Sequence, residues 1–167
     1  MIEKIISGGQ VGINQAILTS AFSNELKTGG FIPKGFKISD FPNFAEEYNL
    51  IEHESEDIHK SIWKNVSISE GTLRIAHQFN TEEEESRLKA IQHYDKPHID
   101  IVAFSVNKEG YILGRKHNEI IKWIIENKIK ILNIDGNSEK DFTGMHDVVF
   151  TFLNQLFYRL KQLSLSS

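Results

Sequence analysis

Cysteine is absent from this chain of 167 residues, and proline (three), methionine (two) and tryptophan (two) are scarce. Without thiols there is no disulfide framework, no cysteine nucleophile, no zinc ribbon and no thiolate-held iron–sulfur cluster. The same absence says nothing about compartment. Long apolar runs are also missing. Nothing approaches the roughly 18 consecutive apolar residues of a membrane-spanning helix. The opening stretch Met1 to Gly9 has no basic segment followed by an apolar core, so no secretory leader and no membrane partner are expected, and a cytoplasmic location is the default expectation. Charge of one sign is lacking too. Lys and Arg number 19 against 23 Asp and Glu, a formal charge of −4, which argues against a surface given over to nucleic acid. The seven histidines (53, 59, 77, 93, 98, 117 and 146) show no metal-ligand spacing, so surface or packing roles are expected for them and no metal site. No G-x-S-x-G elbow is present, and serine hydrolase chemistry is without support.

What is present is ordinary globular material, 40% hydrophobic and 25% charged, and about one domain's worth of chain. A single domain over residues 1–167 is expected, large enough to bury one good core. Short apolar runs alternate with longer segments of helical period, which predicts βαβ units and a three-layer α/β domain around a mainly parallel sheet of four to six strands. Strands are expected at Lys4 to Ser7, Thr72 to Ala76, Ile99 to Phe104 and Lys130 to Ile134, with a further short one at Leu50 to Glu52. Helices are expected over Val11 to Glu25, Ser55 to Ser67, Thr81 to Tyr94, Gly114 to Asn127 and Val148 to Leu163. Thr81 with Glu84 three residues on forms a capping-box pattern. The stretch from Thr28 to Gly35 reads as a glycine-rich loop, and Ser39 to Tyr48 as irregular. The last helix carries apolar residues over a wider arc than one sheet face needs, so a homodimer or higher homo-oligomer through it is one expectation and deep burial the other.

In such sheets a ligand lies beyond the carboxyl ends of the strands, so the residues after each strand are the candidates. After the first comes Ser7-Gly8-Gly9-Gln10-Val11-Gly12. Glycines there let the backbone approach a ligand, and a helix start offers free N–H groups to an anion. It is neither a dinucleotide fingerprint nor a Walker A loop, and a tight turn without a ligand is the alternative. Lys34, between Pro33 and Gly35, is a cation suited to a phosphate; a solvated surface lysine is the alternative. After Ala76 the chain runs His77-Gln78-Phe79-Asn80-Thr81 into four glutamates. That helix start satisfies its own dipole and repels a phosphate. The turn at Asp135-Gly136-Asn137-Ser138 has small polar residues that suit a pocket wall or a plain turn equally.

Taken together, Ile6-Ser7-Gly8-Gly9-Gln10-x-Gly12, Thr28-Gly29-Gly30-Phe31-Ile32-Pro33-Lys34-Gly35, Asn65-Val66 with Ser69-Glu70-Gly71-Thr72-Leu73, and Leu132-Asn133-Ile134-x-Gly136 with Ser138 resemble the molybdenum-cofactor carrier family, the circularly permuted YpsA-type branch of the SLOG superfamily. The resemblance runs from Ile5 to about Phe157. It implies a Rossmann-like fold and a nucleotide-type ligand over the glycine-rich loops, with Ser7, Gly8, Gly9, Gln10, Gly12, Gly29, Gly30, Pro33, Lys34, Gly35 and Ser138 as binding residues. The chain departs from the family pattern at Val11 and Asn14-Gln15. It lacks the Gly-Gly-Thr phosphate turn, replaced here by Gln78-Phe79-Asn80-Thr81. It also lacks the arginine of the last loop, replaced by Gly136-Asn137-Ser138.

The expected function is a non-catalytic binding or carrier protein for a small phosphorylated, nucleotide-like ligand, with the molybdenum cofactor or a nucleotide as the candidate. With no cysteine, a molybdenum cofactor would be held through its pterin and phosphate. Two alternatives stand beside it. One is a ribosyl-bond hydrolase using Glu84 or Glu85 as its carboxylate. The other is a regulatory partner protein that keeps the fold without the site.

Overall fold

Where an apolar run meets the apolar stripe of a neighbouring helix, the chain of this computed structural model forms the expected strands. Residues 1–10, 12–36, 43–105, 111–113, 116–138 and 142–165 are described. The expectations at Val11, at 39–42 and at Gly114-Arg115 lie outside the described residues. The strands are β1 (Lys4–Ile6), β2 (Lys27–Ile32), β3 (Leu50–Glu52), β4 (Gly71–Ala76), β5 (His98–Ser105), β6 (Tyr111–Leu113) and β7 (Ile131–Gly136). The helices are α1 (Ile13–Ser23), α2 (Phe44–Glu47), α3 (Ile58–Ser67), α4 (Glu82–His93), α5 (His117–Glu126) and α6 (Met145–Leu165). The strands join one sheet in the order β3-β2-β1-β7-β4-β5-β6. Six run parallel, and only β6 is antiparallel, on the edge beside β5. The chain therefore moves outward from β1 to one edge and from β4 to the other, and its last strand returns to the middle. That reversal opens the crevice at the carboxyl ends of β1, β7 and β4.

The two faces of the sheet differ. Ile5, Leu73, Ile75, Ile101, Leu132 and Ile134, all buried completely, share one core with α1, α5 and α6. Each such side chain contributes about 1.5–3 kcal/mol by leaving water. The opposite face carries Thr72, Arg74, Asn133 and Asp135 in register, and α3 and α4 cover it with a small apolar contact of Val66, Ala90 and Ile91. The outer part of that face is open, with Val102 40% and Phe104 55% exposed.

Two local readings change. The glycine-rich segment is not all loop: Gly29 and Gly30 lie inside β2, and only Pro33 to Gly35 form the turn. Glycine is needed in this strand because a Cβ on Gly30, whose φ is +149°, would sit 2.0 Å from the Ser7 carbonyl oxygen. The β6 strand was not foreseen, since three residues paired on an edge carry too little pattern. The arc of α6 is largely consumed within the chain: Val149, Phe152, Leu153, Leu156, Phe157 and Leu160 are buried, while Leu163 stays 44% exposed. Among the described residues no helix is long and apolar enough to cross a membrane.

Candidate functional site

At the carboxyl end of β1 the chain turns directly into α1. The Ser7 amide still bonds across to the Gly29 carbonyl (3.0 Å). Gly9 and Gly12 then take φ values of 72° and 101°, which L side chains adopt only with strain, so the turn is built for glycine. Gly12 is the N-cap of α1, with no capping side chain and no acidic residue in the first turn. It also forms an isolated antiparallel bridge with Ser138, which brings the β7 loop beside the β1 loop. A Cβ on Gly8 would lie 3.2 Å from Asn14 Nδ2 and 3.9 Å from Asn65 Nδ2. Two carboxamides thus flank the turn. Asn65 is fixed by two bonds to the backbone of Phe31, accepting from its N–H (2.6 Å) and donating to its carbonyl (3.0 Å). At the turn, Ser7 Oγ and Asn14 Oδ1 are buried with no hydrogen-bond partner among the described residues. Buried polar atoms ordinarily find partners; these two sit at one glycine turn, while Glu84 Oε2, Arg87 Nε and Asn133 Oδ1, also without a hydrogen bond among the described residues, lie where α3 and α4 cover the sheet face.

The structure brings Ser7, Gly8, Gly12, Gly29, Gly30 and Ser138 together. Gln10 is half-buried on the same turn. Pro33, Lys34 and Gly35 are held differently, against β3. The Lys34 amide donates to the Ser55 carbonyl (2.9 Å) and the Gly35 amide to Glu52 Oε2 (3.1 Å). The Lys34 ammonium is exposed and has no acidic partner within ion-pair distance among the described residues.

The end of β4 is built to the opposite plan. Asn137 Oδ1 accepts two consecutive amides, from His77 (2.7 Å) and Gln78 (3.1 Å), and Asn137 Nδ2 donates to the Gln78 carbonyl (2.9 Å). Thr81 caps α4 by accepting from the Glu84 amide (3.3 Å). The reciprocal half of the capping box does not form, because the Glu84 side chain turns inward and is completely buried. It pairs with Arg87, which also reaches Asp135 Oδ2 at 2.8 Å, and it lies 3.6 Å from Arg74. Arg74 forks onto Asp100, with Nε donating to Oδ1 at 2.8 Å, and the Phe79 ring lies over its guanidinium at 4.8 Å. Burial pushes the Glu84 carboxyl above its ordinary range and Asp135 adds to this, while Arg87 and Arg74 oppose it. Burial alone would lower Arg87, but Asp135 and Glu84 outweigh it and hold the guanidinium charged. The acidic run is therefore not one solvated face. Glu84, a carboxylate that a ribosyl-bond hydrolase was expected to use, is locked into the sheet.

A model of the circularly permutated YpsA SLOG family matches residues 5–157. The chain belongs to this family. Family membership suits a sheet whose last strand in sequence lies at its centre. A solved structure from Syntrophus aciditrophicus, of a protein named provisionally as a molybdenum carrier, is 28% identical to this SLOG chain with a TM-score of 0.77. The likeness covers 93% of this chain and 94% of that one. Comparison with curated proteins gives no match.

Reading the sequence passed over three features of this SLOG site. Asn14 departs from the family pattern in sequence, but only the fold leaves its Oδ1 buried without a hydrogen-bond partner among the described residues. Asn137 looked like turn material. The Arg74–Asp100 and Arg87–Asp135 pairs span different strands and leave no local trace, whereas Glu84 and Arg87, three apart on α4, are legible as a helical pair.

Proposed function

We propose that this SLOG-family chain is a non-catalytic binding protein that holds a small phosphorylated, nucleotide-like ligand over Ser7 to Gly12, with Gly29, Gly30 and Ser138 beside it and Pro33-Lys34-Gly35 at the rim. The observation that carries the reading is the pair of buried, unpartnered atoms, Ser7 Oγ and Asn14 Oδ1, next to an α1 start that no side chain caps. A phosphate oxygen accepts from the Ser7 hydroxyl and from the first amides of α1, and the helix dipole favours the negative charge. Asn14 Oδ1 is an acceptor and suits a ring N–H or a ribose hydroxyl of the same ligand.

The name of the Syntrophus relative makes the molybdenum cofactor the first ligand to try. This chain has no cysteine to offer the metal, so the residues fit that cargo only through its pterin and phosphate. The burial of Glu84 in an ion-pair network supports binding without ribosyl-bond hydrolysis. The test is a titration of the purified chain with nucleoside monophosphates and with the molybdenum cofactor, coupled to detection of released base. The expected outcome is saturable binding without base release. Gly9→Asp, which adds a carboxylate at a positive φ, should weaken it at least about tenfold, and Lys34→Ala about threefold. Unchanged affinity in both variants places the ligand elsewhere, and base release makes the protein an enzyme.

A further inference from the structure

We propose that Asn137 is the residue that sets ligand class at this site. Its carboxamide oxygen occupies the place of a second anionic group, so the site takes a ligand with one phosphate-type group and not a diphosphate. The inference rests on the ligand reading above. At the end of β4 two consecutive backbone N–H groups, of His77 and Gln78, converge on the single oxygen Asn137 Oδ1 at 2.7 and 3.1 Å. Successive amides aimed at one point form the kind of concavity that holds an anion's oxygen. Here the protein supplies that oxygen itself. The amide orientation is determined by its surroundings, since Oδ1 faces two donors and Nδ2 faces the Gln78 carbonyl. Asn137 is 4% exposed and lies between Gly136, packed against β4, and Ser138, bridged to Gly12. The plug is thus anchored on both sides of the crevice. The rest of this strand end repels a further negative group, because Thr81 takes the Glu84 amide and Glu82, Glu83 and Glu85 stand in the first turn of α4. Across the crevice the α1 start has neither a cap nor an acid. One phosphate is welcomed, and the position for a second is filled.

The experiment follows backbone amide resonances of the full chain during titration with adenosine 5′-monophosphate, adenosine 5′-diphosphate and inorganic pyrophosphate. In the wild-type chain the monophosphate should bind about tenfold more tightly than the diphosphate, moving Gly8 and Gly9 and leaving His77 and Gln78 in place. Asn137→Gly frees the two amides. It should shift the preference towards the diphosphate by about tenfold, to near equality, and pyrophosphate should then move His77 and Gln78. Asn137→Ser is the second variant if the glycine form does not fold. A wild-type chain that binds the diphosphate as tightly as the monophosphate overturns the proposal, and so does a folded variant with an unchanged preference and still amides. If Gly8 and Gly9 never respond, yet pyrophosphate moves His77 and Gln78 only in the variant, the ligand reading has failed while the assignment of Asn137 stands.

Discussion

The ends of β1 and β4 lie on the same edge of one parallel sheet, two strands apart, and each leads into a helix. They solve the same chemical problem in opposite ways. At β4 the backbone amides are met from within: Asn137 takes two and Thr81 takes a third, while Glu84 pairs with Arg87, although Glu84 Oε2 and Arg87 Nε make no hydrogen bond among the described residues. At β1 the glycine turn leaves Ser7 Oγ and Asn14 Oδ1 buried without partners and α1 without a cap. The two ends differ in what they leave open: at β1 an uncapped helix start beside a hydroxyl, at β4 amides already taken by side chains. Unmade hydrogen bonds cost stability, so the open end is where function is expected and the closed end where the fold is fastened.

The largest effect should come from undoing the closed end. Arg87→Met leaves Asp135 buried without its cation and Glu84 with only the more distant Arg74, and should cost about 3–5 kcal/mol, read as a lowered denaturation midpoint. Loss of less than about 1 kcal/mol would mean that the network does not fasten α4. Next is Gly30→Ala at the open end, where the new Cβ meets the Ser7 carbonyl; a loss of about 2–4 kcal/mol is expected by the same measurement. Smaller, and opposite in sign, is Ser7→Ala. Removing a buried hydroxyl that has no partner should raise stability by up to about 1 kcal/mol while lowering affinity for a phosphorylated ligand. A clear drop in stability would show that the hydroxyl is satisfied in solution and that the contrast between the two ends is weaker than drawn.

Two glutamates sharpen the comparison through pH. Burial raises the folded-state value of Glu84, so its contribution is fully present below the ordinary carboxylate value of 4.5 and is lost as pH rises through the folded value. Glu70, at the other end of the sheet, accepts from the Ile131 (3.0 Å) and Lys130 (2.6 Å) amides, and these bonds lower its value. Its contribution is present above 4.5 and is lost as pH falls through the folded value. Glu70 is exposed, so Glu70→Gln should cost at most about 1 kcal/mol at neutral pH and flatten the acid side of the stability profile. Glu84→Gln should flatten the side above 4.5 instead. The same slope in both variants would contradict these environments.

Much of the fold is legible along the chain because its signals are local. The apolar runs at Ile5, Leu73 and Leu132 become strands, the helical period of Ile120 and Ile124 becomes α5, and Thr81 caps α4 as its spacing suggests. The β2 strand is hidden because Gly29 and Gly30 have poor strand propensity. Gly30 is required because the Ser7 backbone passes so close and Gly29 makes room for the Lys4 side chain, contacts with residues more than twenty positions earlier. The first candidate loop is legible as a glycine turn before a helix. Which of the neighbouring strand ends is open and which is closed is not.

By itself, then, the order of residues determined the α/β alternation, the glycine turn after β1 and the acidic start of α4, since propensity, periodicity and capping act over a few positions. Tertiary structure alone decided that Glu84 would lie against Arg74 of the sheet, that Asn137 would close the end of β4, and that Ser7 and Asn14 would be buried without partners among the described residues. Hydrogen bonding and burial are settled by which strands become neighbours, and here that was settled when the last strand of the chain took its place between β1 and β4.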